Sequence, residues 1–309
     1  MAKRSWRKLA ILAKIETSYG VDAVPTGGAN AILGVNVTHR TMVGEQLSRD
    51  LLLPYLGHQG VILDGVVSTL EMSVEIAGSG AAGTAPAYGP LLRMCGMAET
   101  IVAATSVAYA PVSAGYEAGT IYFNQDGVRK IMLGARGTVS LELVPGQIPR
   151  YRFMFTGLLG TITDTALPAV TLTGFIKPVP VNADNTTLSL HATTLIAERF
   201  SLDLAATVEK RWLIGEKSIQ ITDRKSTGSV VVEAGTIAAK DWYGIAKAHT
   251  TGALAAVHGL VAGNIVTIGA PAVQIGLVED GQTQGIINNT LPLMFLPVSG
   301  NDELSLTFT

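Results

Sequence analysis

Charge is what this sequence has least of. Asp, Glu, Lys and Arg make up 15% of its 309 residues, against about 25% in ordinary soluble domains. Hydrophobic residues reach 48% and the mean hydropathy is +0.36. A chain so poor in charge struggles to stay dispersed alone, so partners must cover much of its surface or a membrane must. The net charge is only −2, which argues against a basic protein that binds nucleic acid by neutralising phosphates. A single cysteine, Cys95, excludes an internal disulfide framework. It reads as a small core residue on a helix face rather than a nucleophile.

Long apolar runs are missing too. Lys3, Arg4, Arg7 and Lys8 resemble the basic start of a leader, but Leu9 to Ala13 is cut short by Lys14, below the roughly 7–15 residues a signal peptide needs. Ala248 to Val278 contains no Asp, Glu, Lys or Arg, yet it carries His249, His258, Asn264, Pro271 and Gln274 among its glycines. Gly259, Gly263-Asn264 and Gly269 divide it into short strands, so no membrane span is expected.

Catalytic signatures are equally scarce. The five histidines show no ligand spacing, carboxylates are scattered singly, and Glu279-Asp280-Gly281 reads as a turn. No nucleophile elbow or phosphate-binding P-loop occurs. One motif competes: Gly78-Ser79-Gly80-Ala81-Ala82-Gly83 fits G-x-G-x-x-G after a strand, with Glu99 downstream. Against a dinucleotide site, the preceding strand alternates polar and apolar, unlike a central parallel strand. Pro86 and Pro90 also push the helix start away from the last glycine. No enzyme activity and no cofactor are expected.

What the chain does have is alternation. Leu70, Met72, Val74 and Ile76 face one way and Glu71, Ser73 and Glu75 the other, the period of a half-buried strand. Glycines follow, then a helical stripe of Tyr88, Leu91, Leu92 and Cys95 that ends at Gly96. The same order of events recurs about 150 residues later: strand Ser229–Ala234, break at Gly235-Thr236, helix Ile237–His249. Further strands are expected at Ala31–Arg40, Ile101–Tyr109, Gly119–Phe123, Val128–Leu133, Thr138–Val144, Arg150–Thr156 and Val170–Phe175. In the second half they are expected at Thr187–His191, Phe200–Val208, Trp212–Ile214, Ser218–Thr222, Val261–Ile268, Val273–Val278, Leu291–Leu296 and Glu303–Thr309. The fold class is mainly β, a sandwich or barrel with flanking short helices. Lys177-Pro178-Val179-Pro180 marks a boundary. It divides the chain into an N-terminal arm (1–30), a first lobe (31–178) and a second lobe (179–309).

Two stretches look unsuited to packing within one subunit. Residues 1–30 are basic and then turn-rich, with Trp6 and Leu9 on one face of a short helix and Tyr19 beyond. Their loss is expected to spare the fold and harm assembly. The connection Thr41–Gly60 carries Leu51, Leu52, Leu53 and Tyr55, an apolar cluster in a loop long enough to be functional. These residues are the candidate inter-subunit contacts.

The segment Arg7–Thr26, with Glu16-Thr17-Ser18-Tyr19-Gly20-Val21-Asp22 before Pro25-Thr26, closely resembles the N-terminus of the major tail (tail tube) proteins of long-tailed bacteriophages. Asn30-Ala31-Ile32, Glu75–Gly96, Asp126–Gly137 and Pro149–Gly157 are similar to further blocks of that family. The resemblance implies a tail-tube fold, with subunits joined sheet to sheet into rings that stack into a hollow tube. DNA would pass the lumen without specific binding. The tape measure, tail terminator and distal tail proteins would be partners, and the location the virion tail after synthesis in the host cytoplasm. Two tandem lobes imply three chains per ring with pseudo-sixfold symmetry; a single decorated domain implies a hexamer. The tube of a contractile tail or secretion apparatus and a dinucleotide-binding enzyme remain the alternatives.

Overall fold

The computed structural model describes residues 3–309. Strands β1 (Leu9–Ile15), β2 (Ala31–Ile32), β3 (Val35–Ser48) and β4 (Val61–Glu75) precede helix α1 (Gly89–Met94). Strands β5 (Met97–Val102), β6 (Ser106–Pro111), β7 (Gly119–Gln125), β8 (Val128–Leu143) and β9 (Arg150–Asp164) follow it. An irregular stretch leads to β10 (Thr186–Leu190), β11 (Thr193–Thr194), β12 (Ala197–Asp203), β13 (Ala206–Leu213), β14 (Glu216–Arg224) and β15 (Thr227–Glu233). Helix α2 (Trp242–Lys247) comes next, and β16 (Thr251–His258), β17 (Val266–Ile275), β18 (Glu279–Thr283), β19 (Ile286–Leu296) and β20 (Ser305–Phe308) complete a mainly β molecule.

The antiparallel pairings fall into two runs with the same order of partners. One runs β3-β4-β9-β8-β7-β1. The other runs β12-β15-β19-β17-β16-β10. Each run also carries a register shift at the matching place. In the first it lies between Gly119 and Ile121, opposite Ala135 and Met132. In the second it lies between Gly252 and Leu254, opposite Val273 and Ala270. A side chain is excluded at both glycines, because a Cβ would lie 2.5 Å from the Met94 sulfur at Gly119 and 2.5 Å from the His191 ring at Gly252.

Two joints bind the runs together. The end of β8 pairs with β12, Leu143 opposite Phe200 and Ser140 opposite Asp203. Strand β20 pairs with β17 on one side and β6 on the other, with β5 beyond. A contiguous core spans both runs, with Met72, Tyr151 and Phe153 from the first and Phe200, Val230 and Leu291 from the second. Phe308 meets Tyr109 and Tyr88 edge-on at 5.7 and 6.1 Å. Each such side chain contributes about 1.5–3 kcal/mol by leaving water, and β9 delivers Tyr151, Phe153 and Phe155 to the core simply by alternation.

Several boundaries differ from the sequence reading. Residues 9–15 are a strand, not a short helix, and they lie between β7 and β2 with Ala10 to Ala13 buried. The boundary at residue 30 therefore cuts through one sheet. Strand β3 continues to Ser48, so the long connection shrinks to residues 49–60. The expected strands 128–133 and 138–144 are one strand, because Gly134 at φ +55 absorbs the irregularity without ending the pairing. Residues 170–175 form no strand; Leu172 there packs on a small cluster of Leu12, Ala31, Tyr122 and Ile131. The helices shorten to 6 residues each. Glu279-Asp280-Gly281 is strand rather than turn, since the direction of β17 continues into β18 along β19.

Candidate functional site

The turn-rich stretch after β1 is held by its own chain. The buried Glu16 carboxylate accepts the Gly20 N–H at 2.7 Å, the Thr120 hydroxyl at 2.9 Å and the Gly134 N–H at 2.8 Å. Gly20 supplies the φ of +73 that turns the chain back onto that carboxylate. The Tyr19 hydroxyl accepts the Ile219 N–H, its ring lies 5.0 Å from the Arg136 guanidinium, and burial raises its pKa. Asp22 accepts the Tyr122 hydroxyl at 2.6 Å; burial, with this bond second, pushes the Tyr122 pKa up to about 12. Residues 9–22 therefore pack within their own chain, against the expectation of little internal packing. Leu9 pairs opposite Gln125 and packs on the core, whereas Trp6 is 77% exposed.

The glycine-rich loop spends the N–H groups of its first two motif glycines on another part of the chain. Gly78 N–H donates to Asn264 Oδ1 at 2.7 Å and Gly80 N–H to the Gly263 carbonyl at 2.9 Å. A Cβ on Gly78 would lie 2.1 Å from the Gly263 oxygen, and one on Gly83 2.3 Å from the Ala104 nitrogen. Here two backbones cross in contact, and glycine is the only residue that permits it. Among the described residues no group of three or more His, Cys, Asp or Glu gathers as a metal site. No helix among them is long and apolar enough to cross a membrane.

The surfaces that lack partners are hairpin tips and strand edges. Strands β3 and β4 make one long hairpin whose tip carries Leu51, Leu52, Leu53 and Tyr55, all exposed, with Leu52 at 101%. Strands β12–β13 and β14–β15 make the matching hairpin, ending at the exposed Ile214. The outer halves of the two hairpins have different fates. In the second, Ile219 and Ile221 are buried against the first run. Arg136 donates there to the Ile219 carbonyl and Gln220 Oε1, both at 2.7 Å, and to the Tyr116 carbonyl at 2.8 Å. In the first hairpin, Val61, Ile62 and Leu63 stand in the equivalent place and are exposed. Sequence reasoning missed this trio, although three consecutive apolar residues in a strand that otherwise alternates were the available signal. Among the described residues, strand β3 pairs only with β4, and β18 only with β19.

A family profile described as phage tail tube protein fits residues 6–309. No curated protein matches the chain.

Proposed function

The chain belongs to the phage tail tube protein family, and from that footing we propose that it builds the tube of a long non-contractile tail, three chains to a ring. The family gives the role as structural: a virion tail component that assembles with itself into a tube. In the finer reading, residues 31–178 and 179–309 are two tube lobes, with β1 completing the first. Each chain supplies two neighbouring positions of a pseudo-sixfold wall. The observation that carries this reading is the repeated strand order, with the two runs already joined edge to edge through β8 and β12. Head-to-tail joints of one kind close into a ring when the rotation between lobes divides the circle.

Rings then stack, and the exposed Trp6, Leu51–Leu53 and Tyr55 supply apolar contacts between subunits. DNA slides through the lumen, helped by a net charge of −2 that gives the chain no overall attraction for phosphates. A tape measure protein sets the length, and terminator and distal tail proteins close the ends. Electron microscopy of purified assemblies tests the reading. Rings of three chains with six similar lobes are expected, and six chains per ring would overturn it.

A further inference from the structure

The joint inside the chain predicts the joint between chains. Aligning the two runs through their shared register shift makes Met132 equivalent to Ala270 and Ala135 to Val273. Carried along the strand, this brings Ser140–Leu143 of β8 onto Val278–Gly281, most of which is β18. Aligning the hairpins through β4 and β15 brings Phe200–Asp203 of β12 onto Val37–Arg40 of β3. Within the chain, these β8 and β12 segments are hydrogen-bonded to each other. Their counterparts, β3 and β18, each have one edge without a partner among the described residues.

The matching receptor surface is present as well. Ile221 of the second hairpin seats against Gly96, just past α1, at φ +80. His249 stands at the same place past α2, with φ +54. Arg136, which receives that hairpin, has Gln274 as its counterpart. In the second run these positions frame an open cavity of about 580 Å³, lined by Tyr243, His249, Gln274, Leu277, Val278 and Met294. Leu277 is 87% exposed there, whereas its first-run counterpart Val139 is buried and its carbonyl accepts the Leu204 N–H just past β12.

Building on the ring reading above, we propose that a second copy of this chain docks β3 edge to edge on β18 and lays Val61–Leu63 of its β3–β4 hairpin into this cavity. In the inherited register Thr38 of one chain faces Asp280 of the next, Val37 faces Gly281 and His39 faces Glu279. Charge agrees with this register. Arg40 lies on the same face as Thr38 and diagonal to Asp280, on the opposite diagonal from the one by which Arg199 meets Glu142 in the internal joint. Apolar content agrees too, because the joint covers the exposed aliphatic side chains of Val61–Leu63 and Leu277.

Cysteine pairing tests the register. Directly opposed residues of an antiparallel pair lie about 4.5–5.5 Å apart at Cα, within the span of a disulfide, and the native Cys95 is buried. Oxidised assemblies of the Thr38→Cys, Asp280→Cys double variant should yield covalent species ending at three chains, reversed by reductant and absent with Thr38→Cys alone. Tubes that form without this cross-link would overturn the proposed joint and leave the tube reading standing. A covalent series ending at six chains would support the joint and overturn three chains per ring. Should the double variant not assemble, amide exchange on the unmodified protein decides. Residues 38–40 and 279–281 should slow on assembly, and unchanged exchange there would overturn the joint. A native chain that never assembles would overturn both.

Discussion

Single residues in this molecule matter most where two backbones or two strand runs meet. Gly78 and Gly83 lie against the backbones of Gly263 and Ala104, with no room for a methyl group. Gly83 also sits at φ +71. Gly78→Ala and Gly83→Ala should each cost on the order of 2–4 kcal/mol, read as a lower urea midpoint with an unchanged slope. Arg136 is 8% exposed and holds carbonyls from two parts of the chain. Arg136→Ala leaves those acceptors unpaired and should cost about 3 kcal/mol. His39 stacks on Phe123 at 4.3 Å and bonds Ser68 at 2.9 Å. Burial first, and then Lys130, lower its pKa from 6.5 to about 4. The folded state therefore prefers the neutral ring, and the contribution is complete above pH 6.5. As pH falls from 6.5 to about 4 the unfolded chain binds a proton that the folded chain refuses, so stability drops through that window and levels off below it. Thermal melts across this range should show a shallower decline for His39→Gln.

Among the elements, β1 and the β3–β4 hairpin tip give opposite expectations. Strand β1 pairs along its full length with β7 and buries four consecutive residues, so deleting residues 2–15 should leave the chain unable to fold, with circular dichroism and proteolysis as readouts. Replacing residues 49–60 by a short Asn-Gly turn should keep the melting temperature of the isolated chain and abolish its polymerisation, seen by light scattering. The sequence made the sheet interiors legible because alternation marks them, as in Leu70–Ile76 and Tyr151–Phe155. It concealed three things for physical reasons. Glycines at 134 and 269 look like strand ends, yet inside a sheet they sit within continuous strands. The polar residues Glu16 and Asp22 look like part of a loose arm, because hydrogen bonds to Thr120, Gly134 and Tyr122, far along the chain, leave no local pattern. Glu279-Asp280 looks like a turn because the strand there is an edge, where charge is tolerated. The candidate contacts split along the same line: the tip leucines stand out by hydropathy, but the inward bonding of Tyr19 depends on Ile219 and Arg136.

For the whole molecule, the shared core governs how the halves behave. Phe308 near the C-terminus packs on Tyr88 and Tyr109 of the first half, and β20 is bonded to β6. A chain cleaved at an engineered protease site between Lys177 and Pro180 should remain one particle in gel filtration, and residues 1–178 made alone should be insoluble. The β8–β12 joint has a further consequence for the cell. A tube protein must accumulate in solution before it polymerises, and every unpaired strand edge is a place where it can stick wrongly. Two separate lobes would present twice as many open edges and would have to find each other by diffusion, at an association cost of several kcal/mol. Tethering β12 to β8 closes one such edge on each lobe as the chain folds, at the high effective concentration of an internal contact. Each newly made molecule thus waits for its neighbours with fewer open strand edges than two separate lobes would carry.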